Sequence, residues 1–170
     1  MSADNQQERL GTDWIVGFTD GEGCFSVSVF RNKTSSLGWQ VFPEFAITQG
    51  VKSLNVLKRI QRFFGCGRIF INRRYDNHRE HLYRYCVRSM GDLSDIIVPF
   101  FRKNRLQGSK RNDFERFAQA MELIKRRKHL SRKGLRKIAT IATNMNRKSQ
   151  SKFLKSSETT RQRSPSATKI

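Results

Sequence analysis

Two carboxylates one residue apart, Asp20 and Glu22, sit in the run "WIVGFTDGEGCF" (Trp14 to Phe25), each followed by a glycine. An apolar stretch leads into them and an alternating one leads away. Asp and Gly are ordinary turn formers, so a turn would account for each residue taken singly. The rest of the chain makes the pair unusual: it holds 34 Lys and Arg against 14 Asp and Glu, a net charge of +20 over 170 residues. Acids at a helix end are the oxygen donors a hard divalent cation takes, and such a cation lets carboxylates face something negatively charged.

The basic excess points to a polyanionic partner, nucleic acid first. It is unevenly spread: residues 125–170 hold 15 Lys and Arg against one acid, Glu158. From about residue 146 the chain is rich in Ser, Thr, Lys and Arg and nearly free of apolar residues. Such a segment buries too little surface to offset its ordering entropy, so residues 146–170 are expected to be a disordered basic tail that adds salt-sensitive affinity. Residues 1–12 are expected to be a flexible start and 13–145 one folded domain. The longest apolar run, "IIVPFF", is far too short for a membrane span, and the polar start reads as neither signal nor transit peptide. Cys24, Cys66 and Cys86 are scattered, which suits an intracellular reducing compartment, bacterial cytoplasm or organelle, and argues against a disulfide scaffold or zinc finger. His78 and His81 have no third ligand at metal spacing and read as loop residues.

The elements that must position the acids follow from periodicity. Asp13 is placed to cap a short helix, Trp14 to Thr19, ended by Gly21 and Gly23. "CFSVSVFR" alternates, with Phe25, Val27 and Val29 on one face. "WQVFPEFAIT" forms a second strand with Val41, Phe45 and Ile47 inward; Pro43 cannot donate to a ladder and marks an edge or bulge. "SLNVLKRIQRFF" is an amphipathic helix with Leu54, Leu57, Ile60 and Phe64 inward. "RIFINRRY" and "HLYRYCVRSM" make a second hairpin, with Ile69, Ile71, Tyr83, Tyr85 and Val87 inward. Helices follow, the first with Asp92 and Asp95 as capping acids. Phe63, Phe64, Phe100, Phe101, Phe114 and Phe117 are expected core; Glu115 and Glu122 read as solvated. The order predicts an α+β domain with a four-stranded antiparallel sheet.

The outward sheet face carries Ser26, Ser28, Phe30, Gln40, Phe42, Glu44, Arg68, Phe70, Asn72, Arg74, Arg84 and Arg88. Arg31, Asn32 and Lys33 at the first hairpin's end, and Arg73 at the second, join these as expected DNA contacts. Arg, Gln and Asn make paired hydrogen bonds to guanine and adenine edges, and β-structure can lie in the major groove. Singly, each is an ordinary surface residue; together, beside the charge, they favour nucleic acid.

With this context the opening run resembles the LAGLIDADG homing endonuclease family. Ile15 to Gly23 matches the nine-residue motif, and "PEFAITQ", "PFF" and a Lys-rich segment before a helix fall in the expected order, so the resemblance covers roughly residues 13–145. It implies an αββαββα-type fold and metal-dependent double-strand cleavage of a long, pseudo-palindromic DNA target in intron homing. The motif occurs once, which in this family implies a homodimer. By the same resemblance Glu22 and the Gly21 carbonyl hold Mg²⁺, with Mn²⁺ as a substitute and Ca²⁺ binding without supporting cleavage. Gln49 positions the attacking water, Asp20 stabilises the turn, and a basic residue polarises the phosphate. Lys110 matches that last role best, with Lys103 and Arg111 as alternatives. A basic residue that some members carry four places after the glutamine is Ser53 here, with Lys52 beside it. An RNA-binding intron maturase and a catalytically inactive DNA-binding protein of the same fold are the alternative readings.

Overall fold

The computed structural model describes residues 9–72, 81–145 and 152–155. Helix α1 (Thr12–Glu22) runs directly into β1 (Gly23–Arg31), which pairs with β2 (Trp39–Gly50). A 3₁₀ turn (Val51–Ser53) leads to α2 (Leu54–Phe64), then β3 (Arg68–Asn72) and β4 (Leu82–Val87). The chain continues as α3 (Met90–Asp92), a π-helical stretch (Leu93–Ile97), α4 (Val98–Lys103), α5 (Lys110–Lys125), a 3₁₀ turn (Lys128–Leu130) and α6 (Arg132–Thr143). The sheet is antiparallel in the order β1-β2-β4-β3, so the expected α+β architecture is realised.

One sheet face is covered by helices. Phe25 stacks on Phe45 at 4.9 Å and meets Phe101, Phe114 and Phe117 from the helical layer at 5.4, 5.2 and 5.5 Å. Offset and edge-on rings at these spacings fill a core without voids. Val27, Val41, Ile47, Leu57, Ile60, Tyr85 and Val87 complete it, as alternation and helical spacing predict. Phe63 and Phe100 are only half-buried, at its rim.

Pro43 shows how the pairing is staggered. It faces Val27 of β1, whereas β4 joins β2 only from Phe45 onward. An interior strand is therefore locally an edge where its missing N–H falls. Gly67 (φ +80°) turns the chain into β3 where a Cβ would lie 2.8 Å from the Cys86 carbonyl.

Several local expectations are corrected. Gly11, not Asp13, is the N-cap of α1, and Asp13 lies in the first turn. The helix runs past Thr19 to Glu22, taking both acids and Gly21 into its last turn. Ser89 caps α3 by accepting the Asp92 N–H at 3.3 Å, leaving Asp92 inside and Asp95 exposed. Ile71 is 53% exposed, because β3 is the outer strand and ends beyond the helical cover. Within the expected disordered tail, residues 152–155 form a helical turn and Phe153 is 4% exposed against the core. The side chain of Asn72, with Arg73, Arg74 and His78, lies outside the described residues, whereas His81 is exposed.

The α1–β1 junction has no connecting loop. A Cβ at Gly23 would sit 2.5 Å from the Thr19 methyl and 2.8 Å from its carbonyl oxygen, while one at Gly21 would meet nothing within 4 Å. Gly23→Ala is expected to cost about 1–3 kcal/mol through the forced shift, and Gly21→Ala, a helical position with open space around it, to lose nothing and gain up to about 0.5–1 kcal/mol. Urea midpoints of the two variants check this; equal losses would mean that the close approach at Thr19 is not the cause.

Candidate active site

The last turn of α1 presents its acids to two different surroundings. Asp20 is turned into the segment between α4 and α5, where its Oδ2 accepts the Gln107 N–H at 2.6 Å and its Oδ1 the Gly108 N–H at 3.2 Å. Glu22 is exposed, and among the described residues nothing pairs with it. The geometry thus separates a tethering acid from an open one.

Tethering the segment brings Lys110 to the same place. The first residue of α5, it directs its Nζ to the carbonyl oxygens of Gly21 at 2.8 Å and Asp20 at 3.1 Å. These carbonyls end a helix, where partial negative charge attracts cations. Of the basic residues left open by sequence, Lys110 is the one bonded to the acidic turn; Lys103 ends α4, Arg111 is exposed on α5, and Lys52 is exposed in the 3₁₀ turn. Gln49 is placed by register. Gly23, the first residue of β1, pairs with Ile47, and Gln49 lies two residues further along β2, past the end of that ladder. It is half-buried on the helix-covered side of β2, facing Tyr83 across the ladder. An open groove of about 420 Å³ borders α1, lined by Val16, Gly17, Asp20, Asn104 and Gln107 among others.

The uncovered sheet face is organised around one acid. Glu44 is outward in register but only 5% exposed, because Arg84 binds its Oε1 and Arg88 Nε donates to its Oε2 at 2.6 Å. It therefore differs from the open contact residue expected: it neutralises and aims two arginines. The Arg88 guanidinium lies over Phe70 at 4.9 Å and Phe42 at 5.5 Å, and Phe42 meets Phe30 at 6.2 Å. Phe30 and Phe70 are each 42% exposed, so the face is a basic and aromatic surface. Arg68 is exposed beside them, and Ser26 and Ser28 are half-buried along β1. Asn32 Nδ2 donates to Gln40 Oε1 at 2.6 Å, joining two expected contacts, and Lys33 is exposed at the hairpin tip. Arg31, exposed at the hairpin's end, shares the parity of Val27 and Val29 and lies over the Trp39 ring at 5.2 Å, on the helix side.

Other chemistries find no support in the geometry. Burial pushes the Cys86 thiol up to about 11 and the Cys24 thiol above its usual value, so neither is a ready thiolate nucleophile. The cysteines are free, and among the described residues no cluster of three His, Cys, Asp or Glu forms a metal cage. No helix among them is long and apolar enough to cross a membrane.

Comparison with known proteins agrees with this arrangement. The LAGLIDADG endonuclease family profile matches residues 15–121. Probable intron-encoded endonuclease 2 of Neurospora crassa is 33% identical over 135 residues, 79% of this chain and 27% of that protein. Homing endonuclease I-ApeII of Aeropyrum pernix is 31% identical over 116 residues, 68% of this chain and 65% of its own. The chain spans about a quarter of the length of the first fungal relatives it matches, at 27% and 24%. Among solved structures, the homing endonuclease I-TnaI superposes with a TM-score of 0.77 at 38% identity, covering 89% of this chain and 98% of that one. The LAGLIDADG homing endonuclease I-SmaMI, bound to cleaved DNA, gives 0.78 at 31% identity over 95% of this chain and 52% of its own. The motif, the acidic helix end and the four-stranded sheet are therefore those of a relative by descent, and the chain belongs to the LAGLIDADG endonuclease family.

Proposed function

We propose that this chain is a site-specific DNA endonuclease that cuts both strands of a long, pseudo-palindromic target as a homodimer, with Mg²⁺ as its metal. The observation that carries this is the division of labour in the last turn of α1. Asp20 is engaged with backbone amides, while Glu22 is exposed beside carbonyl oxygens that already draw the Lys110 ammonium to 2.8 Å. A binding module would gain nothing from an open acid turned towards phosphates, which repel it unless a cation intervenes.

The donor set fits a hard divalent ion: a free carboxylate and a helix-end carbonyl, both oxygen. Glu22 and the Gly21 carbonyl would hold it, with Mn²⁺ as a substitute and Ca²⁺ supporting binding alone. When bound, such an ion activates water and neutralises charge on the leaving oxygen. The chain's own side chains do the rest. Lys110 holds a positive charge beside the acid, where the scissile phosphate must come. Gln49, two residues along β2 from the partner of Gly23, offers an amide that orients a water. Asp20 fixes the segment that carries Lys110. Arg68, Arg84 and Arg88, with Gln40, Asn32 and the flanking phenylalanines, line the face that lies in the major groove.

Two copies are proposed because α1 is incompletely used by its own fold. Only Ile15 and Thr19 of its residues are buried, Trp14 is 41% exposed, and a Cβ at Gly17 would meet nothing within 4 Å. Glycine in a helix costs about 0.5–1 kcal/mol relative to alanine, so its place at 17 needs another cause. Close approach of the same helix from a second copy supplies one, and a two-fold axis there sets one Glu22 towards each DNA strand.

Three outcomes test this. In a cleavage selection with Mg²⁺ and a library of long duplexes, wild type is expected to yield defined double-strand cuts, with Ca²⁺ giving binding only. Glu22→Gln should lower cleavage by at least about a thousandfold, the loss of a contribution of several kcal/mol, while retaining specific binding; full activity in that variant would sink the metal assignment. Gly17→Leu should sediment as a folded monomer with native circular dichroism, whereas an intact dimer would place the interface elsewhere.

A further inference from the structure

A separate piece of chain, far from it in sequence, meets the end of the β1–β2 hairpin on the helix side. Trp39 begins β2 opposite Arg31. On the helix side its ring receives the edge of Phe153 at 5.2 Å and 77°. Phe153 comes from the C-terminal segment 152–155, is 4% exposed, and is accompanied by Leu154 against the core. The Arg31 guanidinium lies over the same indole at 5.2 Å. The backbone at this end is tied to the ring's own residue: Ser35 Oγ donates to the Trp39 carbonyl at 2.7 Å, and Asn32 N–H to that of Gly38 at 3.0 Å. On the opposite face of these same residues lie Phe30, Gln40 and Asn32, the last two joined at 2.6 Å.

We propose that Phe153 is a positioning residue: it straps the hairpin end through Trp39 and so fixes Asn32 and Gln40 for recognition of the outer base pairs of a DNA half-site. This rests on the endonuclease reading above. Phe153 acts through Trp39, at the end of a two-stranded ribbon. Such ribbons twist readily and are marginal when unsupported. Arg31 is eight residue steps along β1 from Gly23, so the strapped end lies about 26 Å from the acidic turn along the strand. The strap therefore governs base pairs far from the cut and leaves those near it to the central sheet.

The test uses the full-length chain with 5-fluorotryptophan at Trp14 and Trp39, the two resonances assigned by Trp39→Phe. Phe153→Ala should move the Trp39 resonance and leave that of Trp14 in place, and Phe153→Tyr, which keeps the ring, should restore it. With targets carrying single base-pair changes, Phe153→Ala should relax discrimination about threefold to tenfold at the outer pairs, the size of one lost aromatic contact. Discrimination at the inner pairs should stand, and Phe153→Tyr should recover the outer ones. An unmoved Trp39 resonance overturns the strap. So does discrimination lost equally at every position, the mark of general destabilisation, or lost nowhere. A wild type that neither cuts nor selects any duplex overturns the endonuclease reading itself, and with it the specificity role; a selective wild type with an unmoved resonance overturns the strap alone.

Discussion

The close approach of Gly23 to Thr19 sets everything else in this molecule. Because α1 becomes β1 without a connecting loop, the helix axis and the strand direction are fixed to each other by one contact in which no side chain fits. Register then propagates from that point: Gly23 opposite Ile47 sets the pairing of β1 with β2, so that alternate residues of both strands face outward. A flexible linker there would let Glu22 wander relative to the sheet, and on the proposed endonuclease reading the place of chemistry would no longer be a defined distance from the place of recognition. A group that must act on one bond of a long polymer needs that distance fixed.

Electrostatic order on the uncovered face follows a similar economy. A net charge of +20 drives association with any polyanion but does not aim a single guanidinium. Glu44 supplies the aim. Held at 5% exposure between β1 and β4, it takes one arginine on each oxygen, and Arg88 is further confined by Phe42 and Phe70. Both arginines keep more than a third of their side-chain surface open, at 37% and 42%. The acid thus costs the face one unit of positive charge and in return limits the rotamers of two long side chains, which lowers the entropy lost when they meet a ligand.

The fold was largely legible because its strands have one wet and one dry face. Alternation assigned Phe25, Val27, Val29, Val41, Phe45 and Ile47 to the core without reference to any partner. What it could not read was context beyond the strand. Its charge marks Arg31 as a contact at the hairpin's end; the indole its guanidinium lies over comes from across the hairpin, at Trp39. Ile71 has the right parity but lies where the sheet outruns its helices. Asp13 and Asp92 have capping chemistry, but Gly11 and Ser89 occupy the cap geometry. Phe153 and Leu154 are a short apolar pair in a basic stretch, and composition averages them away; Trp39, more than a hundred residues earlier, helps give Phe153 its place.

The candidate site was legible in part, and the boundary has a physical reason. The acids, the glycines and Gln49 lie within reach of one helix and one hairpin, so local pattern and strand register order them. The basic partner comes from 90 residues away, and several cations stand near the right position in sequence. The choice is made by Asp20. By accepting the Gln107 and Gly108 amides it fixes the start of α5, and the first side chain of that helix is then the one that reaches the Asp20 and Gly21 carbonyls. An acid that reads as turn chemistry therefore does long-range work: it selects Lys110 over its neighbours and keeps its own charge away from the place where Glu22 is open. Two carboxylates separated by one glycine have opposite fates because one faces backbone donors and the other faces solvent.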